Sequence, residues 1–284
     1  MEEFLDKKKR HVFLCYTRED RVFSRKITEE LRRARPDIPY ADVELLPGDT
    51  VAKRIAKVVT AGDYVFLILS KNFLRSKWVS SKVFEAQLDE LTTRDVAIVP
   101  VLIDYHRVPD FLSKFQMINL QRQTEDKIRE LTFRIANATR IDFSSFTGYL
   151  FQKIVVALLK KLRFAKVRME QGTRERGVDI TAEFAQRDPF GVRTRERWIV
   201  ETKLYSRERA SVQALRQLMG SLFEFPDAKA LLVTNGILTS KAKDWLRGVQ
   251  RTEKVHVRVI EGPELRSLLL RFPDIVHEYF QPIS

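Results

Sequence analysis

The chain has 284 residues, 44% of them hydrophobic and 31% charged, with a formal net charge of +13, a balance that fits a folded globular protein and excludes disordered and collagen-like classes. No apolar run approaches the roughly 20 residues that span a bilayer, and the opening MEEFLDKKKRH lacks the apolar core of a signal peptide, so no membrane partner and a cytoplasmic location are expected. Basic residues outnumber acidic ones by 26 to 21 in residues 1–140 and by 25 to 17 in residues 141–284, which favours polyanionic partners through counterion release without specifying one.

The length suits two domains of about 140 residues each. In the first half VFLCY reads as a strand, EDRVFSRKITEELRRA as an amphipathic helix, and the Pro/Asp/Gly-rich stretch after it as a connection. AKRIAKVV follows as a helix, YVFLILS as a strand, SKVFEAQLDELT as a helix and VAIVPVLI as a strand. Continuous apolar runs of strand length are what parallel strands need when helices cover both faces, so a doubly wound parallel sheet is expected. The only cysteine, Cys15, lies inside the run HVFLCYT; no intrachain disulfide is available and a buried, inert thiol follows.

A polar helix, QTEDKIRELTFRIANAT, leads to the junction RIDFSSFTG, and the domain boundary is placed near Arg140, giving domains 1–140 and 141–284. The second domain opens on a helix with Phe151, Ile154, Val155, Leu158, Leu159 and Leu162 on one face. Then come the strand AKVRME, the strand VDITAEF, a polar hairpin QRDPFGVRTRER and the strand WIVETKLY. A helix VQALRQLMGSLFEF, the strand ALLVTN, a helix TSKAKDWLRGVQ and the strand VHVRVI complete a mixed α/β domain.

Asp179 stands at the start of one of these strands, and Glu201 and Lys203 stand on the next, 22 residues later. Side chains alternate across a strand, so Glu201 and Lys203 share a face while Thr202 points away. Asp179, Glu201 and the main-chain carbonyl of Thr202 form an oxygen set suited to a hard divalent cation such as Mg²⁺ or Mn²⁺. Lys203 is then placed to orient or deprotonate an attacking water, or to neutralise charge on phosphorus. The structural alternative is a surface cross-strand pair beside a turn, but a carboxylate and an ammonium amid apolar neighbours cost several kcal/mol unless paired or metal-bound.

These residues, with FSSFTGYLFQKIVVALLKKLRFAKVRMEQGTRERGVDI before them and VQALRQLMGSL and ALLVTNGILTSKAKDWL after them, resemble the Mrr-type branch of the PD-(D/E)xK restriction-endonuclease superfamily. The resemblance implies a metal-dependent endodeoxyribonuclease with Asp179, Glu201 and Lys203 as catalytic core. One departure is Gln152, where that family usually carries a glutamate; a glutamine there accepts a hydrogen bond from a metal-bound water but adds no charge. Gln213 and Gln217 on the following helix, and Arg174, Arg176, Arg193, Arg195, Arg197, Arg207 and Arg209 around the core, are candidate DNA contacts.

The first half resembles a Toll/interleukin-1 receptor (TIR) domain, a flavodoxin-like parallel sheet. HVFLCYTRED carries its first strand and acidic residue, Asp20; VELLPGDTVAKRI carries the loop after its second strand, with Gly48 at the turn; DYVFLILSKNFLRSKW carries the third strand and the Ser-x-Trp ending at Trp78. TIR domains assemble with one another or cleave NAD, and the cleaving members place a glutamate four residues after that tryptophan. Lys82 occupies this position, which argues for assembly, although Glu85 on the same helix is a possible substitute. The four histidines show no zinc-ligand spacing. The fusion implies DNA as substrate, a homo-oligomer, a TIR-domain or nucleotide-signal partner, and a role in prokaryotic defence; an NAD-cleaving enzyme with a DNA-gripping second domain is the alternative.

Overall fold

A computed structural model describes residues 10–45, 59–75, 79, 82–104, 107–121, 124–170, 178–187, 189–206, 209–252 and 255–280. Gly48, most of the AKRIAKVV stretch, Trp78, Arg174, Arg176 and Arg207 lie outside the described residues. The described chain separates into two compact units. One takes in residues up to Ile141 together with Arg266–Val276 and Phe280, and the other Asp142–Leu265 with His277–Tyr279.

In the first unit, five parallel strands lie in the order β2-β1-β3-β4-β5. They are β1 (Val12–Thr17), β2 (Tyr40–Leu45), β3 (Tyr64–Leu69), β4 (Ala97–Leu102) and the short β5 (Ile118–Asn119). Every residue of β1, β3 and β4 is buried, as their unbroken apolar sequences require. Helices α1 (Arg21–Ala34), α2 (Lys71–Arg75), α3 (Lys82–Thr93) and α4 (Glu125–Ala138) accompany the sheet. Phe23, Ile27 and Leu31 form the buried stripe of α1, and Phe84, Leu88 and Leu91 that of α3. Phe73 and Phe84 meet edge to face with centroids 6.0 Å apart in a core that also holds Phe13, Cys15 and Leu67. Burial raises the Cys15 thiol far above its usual range, the charge of Asp42 adding to the effect, so the residue is packing material. The polar-looking α4 buries Ile128, Leu131 and Ile135.

Arg266 reaches this unit from the far end of the chain. It is 2% exposed, donates to the Asp95 side chain at 3.1 Å and to the Asp95 carbonyl at 2.6 Å, and lies over the Tyr64 ring at 5.7 Å. Asp95 has φ +63°, a left-handed conformation that aspartate tolerates better than most residues.

The second unit is built on a mixed sheet in the order β10-β9-β8-β7-β6. Its strands are β6 (Ala165–Met169), β7 (Ile180–Arg187), β8 (Arg193–Lys203), β9 (Ala228–Thr234) and β10 (Val257–Ile260). β6, β7 and β8 run antiparallel, whereas β8, β9 and β10 run parallel. The segment expected as a polar hairpin is one: Gln186 pairs with Thr194 and Arg187 with Arg193 across antiparallel strands. Backbone pairing needs no apolar side chain, and Gly191, at φ +89°, supplies the turn. Helix α5 (Gly148–Lys161) begins at Thr147, whose hydroxyl accepts from Leu150 N–H at 3.2 Å. It buries Phe151, Ile154, Val155, Leu158 and Leu159, while Leu162 is the half-buried C-cap. Helices α6 (Val212–Ser221) and α7 (Ser240–Thr252) follow, and Ala214, Leu215 and Leu218 of α6 pack with Ile199, Ala230 and Leu232 of the sheet. The C-terminal helices are α8 (Gly262–Leu269) and α9 (Pro273–Tyr279). None of the described helices is long and apolar enough to cross a membrane.

Candidate active site

The middle strand β8 changes character along its length. Its first half, Arg193–Arg197, is mostly exposed, whereas Ile199, Val200 and Glu201 are buried. Glu201 is 3% exposed. An ionised carboxylate is not buried this deeply without compensation, and among the described residues only one of its oxygens has a partner: Lys203 Nζ lies 2.6 Å from Oε1. The other oxygen, Oε2, is buried without a hydrogen-bond partner. Burial raises the Glu201 pKa above the ordinary glutamate range and the charge of Asp179 adds to this, against the opposing pull of Lys203. Burial pulls Lys203 in the other direction, but its hydrogen bond to Glu201 and the charges of Glu201 and Asp179 outweigh that, and its pKa is raised. Lys203 is therefore an ammonium at neutral pH.

Asp179 is brought to this pair by the β7–β8 ladder. Ile180 pairs with Val200, and Asp179 N–H donates to the Val200 carbonyl at 2.9 Å. Three donors hold its carboxylate. Thr202 N–H and the Thr202 hydroxyl donate to Oδ2 at 2.7 and 2.6 Å, and the Gln152 amide donates to Oδ1 at 2.9 Å. Gln152 follows Phe151, which is fully buried and stacks edge to face on Phe143 at 5.5 Å, so the helix face that presents Gln152 is fixed by packing. The structure thus brings Asp179, Glu201, Thr202 and Lys203 together and adds Gln152. The sequence places the Thr202 side chain away from the site, whereas its hydroxyl donates to Asp179; the contact of the Gln152 amide with Asp179 is an addition to the sequence reading. The signal available was the hydroxyl of Thr202 beside two charged residues.

An ionised carboxylate has about four acceptor positions, so among the described residues Asp179 retains one, on Oδ1, and its charge acts on Glu201, whose Oε2 is unpartnered. These acceptors, with the site's two negative charges against one positive charge, suit a hard cation. Among the described residues no group of three or more His, Cys, Asp or Glu side chains is placed to hold a metal ion; a site here would draw on the two carboxylates and on main-chain oxygen.

Gln213, Gln217, Arg193, Arg195, Arg197 and Arg209 are exposed. Of these, Arg195 lies 4.0 Å from Glu183.

In the first unit the sheet order reverses direction at β1 and β3, and doubly wound sheets open a crevice beyond the C-terminal ends of such strands. Asp20 and Ser70 stand there. Both the Thr17 and the Ser70 hydroxyls donate to Asp20 Oδ2, at 2.7 and 2.6 Å. Burial raises the Asp20 pKa, opposed by the two hydroxyls and assisted by the charges of Asp104 and Glu19. Lys82 is the exposed first residue of α3. Glu85 lies 3.7 Å from Lys114, which also binds Asp89 at 2.6 Å.

Comparison with known families gives two matches: one described as a TIR domain covers residues 12–132, and one described as a restriction endonuclease covers residues 143–269. No curated protein matches the chain.

Proposed function

The chain joins a TIR domain to a restriction-endonuclease domain of the Mrr type, and from that premise we infer that it is a metal-dependent endodeoxyribonuclease whose TIR domain controls cutting by assembly, with the domain boundary near residue 140. The observation that carries this reading is the buried Oε2 of Glu201, unpartnered among the described residues and within the electrostatic influence of Asp179. A buried oxygen acceptor with no donor costs on the order of 1–3 kcal/mol, and a divalent cation is the partner that satisfies it while neutralising both carboxylates.

Asp179 and Glu201, with the Thr202 carbonyl, would hold Mg²⁺ or Mn²⁺. Such a cation supplies Lewis-acid polarisation of the scissile phosphate and a lowered pKa for bound water. Thr202, through its N–H and hydroxyl, and Gln152, through its amide, keep the Asp179 carboxylate in one orientation. Lys203, its pKa raised, holds its proton and meets the negative charge that builds on the phosphate oxygens; this role fits better than that of general base. The exposed arginines of β8 and Arg209 supply phosphate contacts.

NAD cleavage by the first domain is disfavoured by the cation of Lys82 where a carboxylate is needed, and by the engagement of Glu85 with Lys114. One centre cuts one strand, so a double-strand break calls for two chains on one duplex. Supercoiled plasmid with Mg²⁺, with Mn²⁺ or with EDTA, and NAD in a parallel tube, test the reading together. Cutting in either metal and none in EDTA, with NAD intact, is expected. Cutting in EDTA, or no cutting of any DNA alongside rapid loss of NAD, would overturn it.

A further inference from the structure

Gln152 presents a donor where a catalytic carboxylate is exposed to a second negative charge. Its Nε2 lies 2.9 Å from Asp179 Oδ1, and Thr202 supplies two donors to Oδ2. With three of about four acceptor positions taken, the orientation of Asp179 is set by the protein alone. Glu201 is arranged differently: one oxygen is tied to Lys203 and the other is unpartnered. The two carboxylates therefore differ in what they offer an incoming cation, although they lie close enough for the charge of one to act on the other. The residue responsible for part of this difference is neutral. A glutamate at the same place would set one carboxylate against another, and the contact would need a cation between them.

We propose that Gln152 is a positioning residue that fixes Asp179 for cation binding without adding charge, so that Glu201 supplies most of the site's open coordinating capacity. The inference rests on Asp179, Glu201 and Lys203 forming the nuclease centre. Residues that orient a metal ligand without touching the metal typically change metal affinity or activity by about 10–100-fold when replaced, and Gln152 fits that class.

The experiment uses the full chain and two variants that keep the length of the side chain. Gln152→Met preserves bulk and removes the donor; Gln152→Glu preserves shape and turns the donor into an acceptor. Ca²⁺ binding is followed by titration calorimetry and by the Ca²⁺-induced rise in Tm, and plasmid cutting is followed against Mg²⁺ concentration. Gln152→Met is expected to weaken Ca²⁺ binding and slow cutting, by about 10–100-fold in one or both, with its metal-free Tm close to that of the parent. Gln152→Glu is expected to melt lower in EDTA, to bind Ca²⁺ more tightly and to gain more Tm from it than the parent. A purely structural role would move both variants the same way, so opposite shifts in Ca²⁺ affinity support the proposal, and parent-like values or shifts of one sign in the two variants overturn it. Asp179→Asn separates the layers. If the parent binds Ca²⁺ and cuts, Asp179→Asn loses both, and Gln152→Met changes neither, only the role of Gln152 falls. A parent that neither binds Ca²⁺ nor cuts removes the nuclease centre and the inference together.

Discussion

Replacing Glu201 by glutamine separates what this residue costs the fold from what it gives to chemistry. In the metal-free protein its carboxylate is 3% exposed, with one oxygen unpartnered and Asp179 nearby. The amide removes the buried charge and the repulsion from Asp179 and keeps an oxygen for Lys203. Lys203 is 30% exposed, so losing its ionic partner leaves it partly solvated. Removing the charge from a buried, unpartnered acceptor is worth on the order of 1–3 kcal/mol, and exchanging the charge-assisted bond to Lys203 for a weaker one to a neutral amide returns about 1 kcal/mol of that. A net stabilisation of up to about 2 kcal/mol follows, or a Tm rise of up to roughly 4–8 °C for a domain of this size. The sign with pH is fixed by the raised pKa of Glu201. Its neutral form is the one the fold favours, so wild-type stability from this group is full below the ordinary glutamate value of about 4.3 and is lost as pH rises through the raised folded value. The Tm advantage of Glu201→Gln should therefore be absent near pH 4 and open as pH rises. Calorimetry in EDTA across that range, with plasmid cutting in Mg²⁺, measures both effects, and cutting should fall by about 100-fold or more. A variant that is less stable than the parent at pH 8, or whose advantage does not vary with pH, would show that no charge strain is stored at this site.

Lys203→Ala and Asp179→Ala should each abolish plasmid cutting while leaving the circular dichroism spectrum unchanged; a purified Lys203→Ala protein cutting at the parental rate would remove Lys203 from the core. The full chain should leave NAD intact over hours by chromatography, and NAD loss abolished by Glu85→Ala would reveal Glu85 as the missing carboxylate. Sedimentation should find assembled chains under the conditions that give double-strand breaks, and cutting should fall steeply between about 50 and 200 mM salt as phosphate contacts are screened; monomers making double-strand breaks would refute control by assembly. Arg266→Ala should destabilise the first unit by about 2–4 kcal/mol, a little below the loss for a fully buried pair because Asp95 is 26% exposed; an unchanged Tm would show that the Arg266–Asp95 contact contributes nothing.

The parallel sheet was legible because VFLIL and VAIVPVLI are apolar on both faces of the strand, a pattern suited to strands covered on both sides. The facing of Glu201 and Lys203 was legible too, since a spacing of two on a strand fixes the side. What the sequence did not reveal depends on partners distant in the chain. Gln152 and Asp179 are 27 positions apart, and that they meet follows from the register of β7 on β8 and the seating of Phe151. The hairpin through Gln186, Arg187, Arg193 and Thr194 was legible from its turn residues, although a polar ribbon has no apolar alternation to fix its register. Arg266 gave no signal at all: one basic residue among 51, distinguished only by where the chain carries it.

That last feature bears on how the protein is made. The first unit draws Arg266–Val276 from beyond the second unit in sequence, so the ribosome must translate the whole nuclease before the piece that closes over Asp95 and Tyr64 exists. At roughly 5–20 residues per second, the interval of about 125 residues lasts roughly 6–25 s. During that time the first unit holds only its nascent, less stable form. Its final stability is reached after the nuclease has left the exit tunnel, and a chain truncated within the second unit never reaches it.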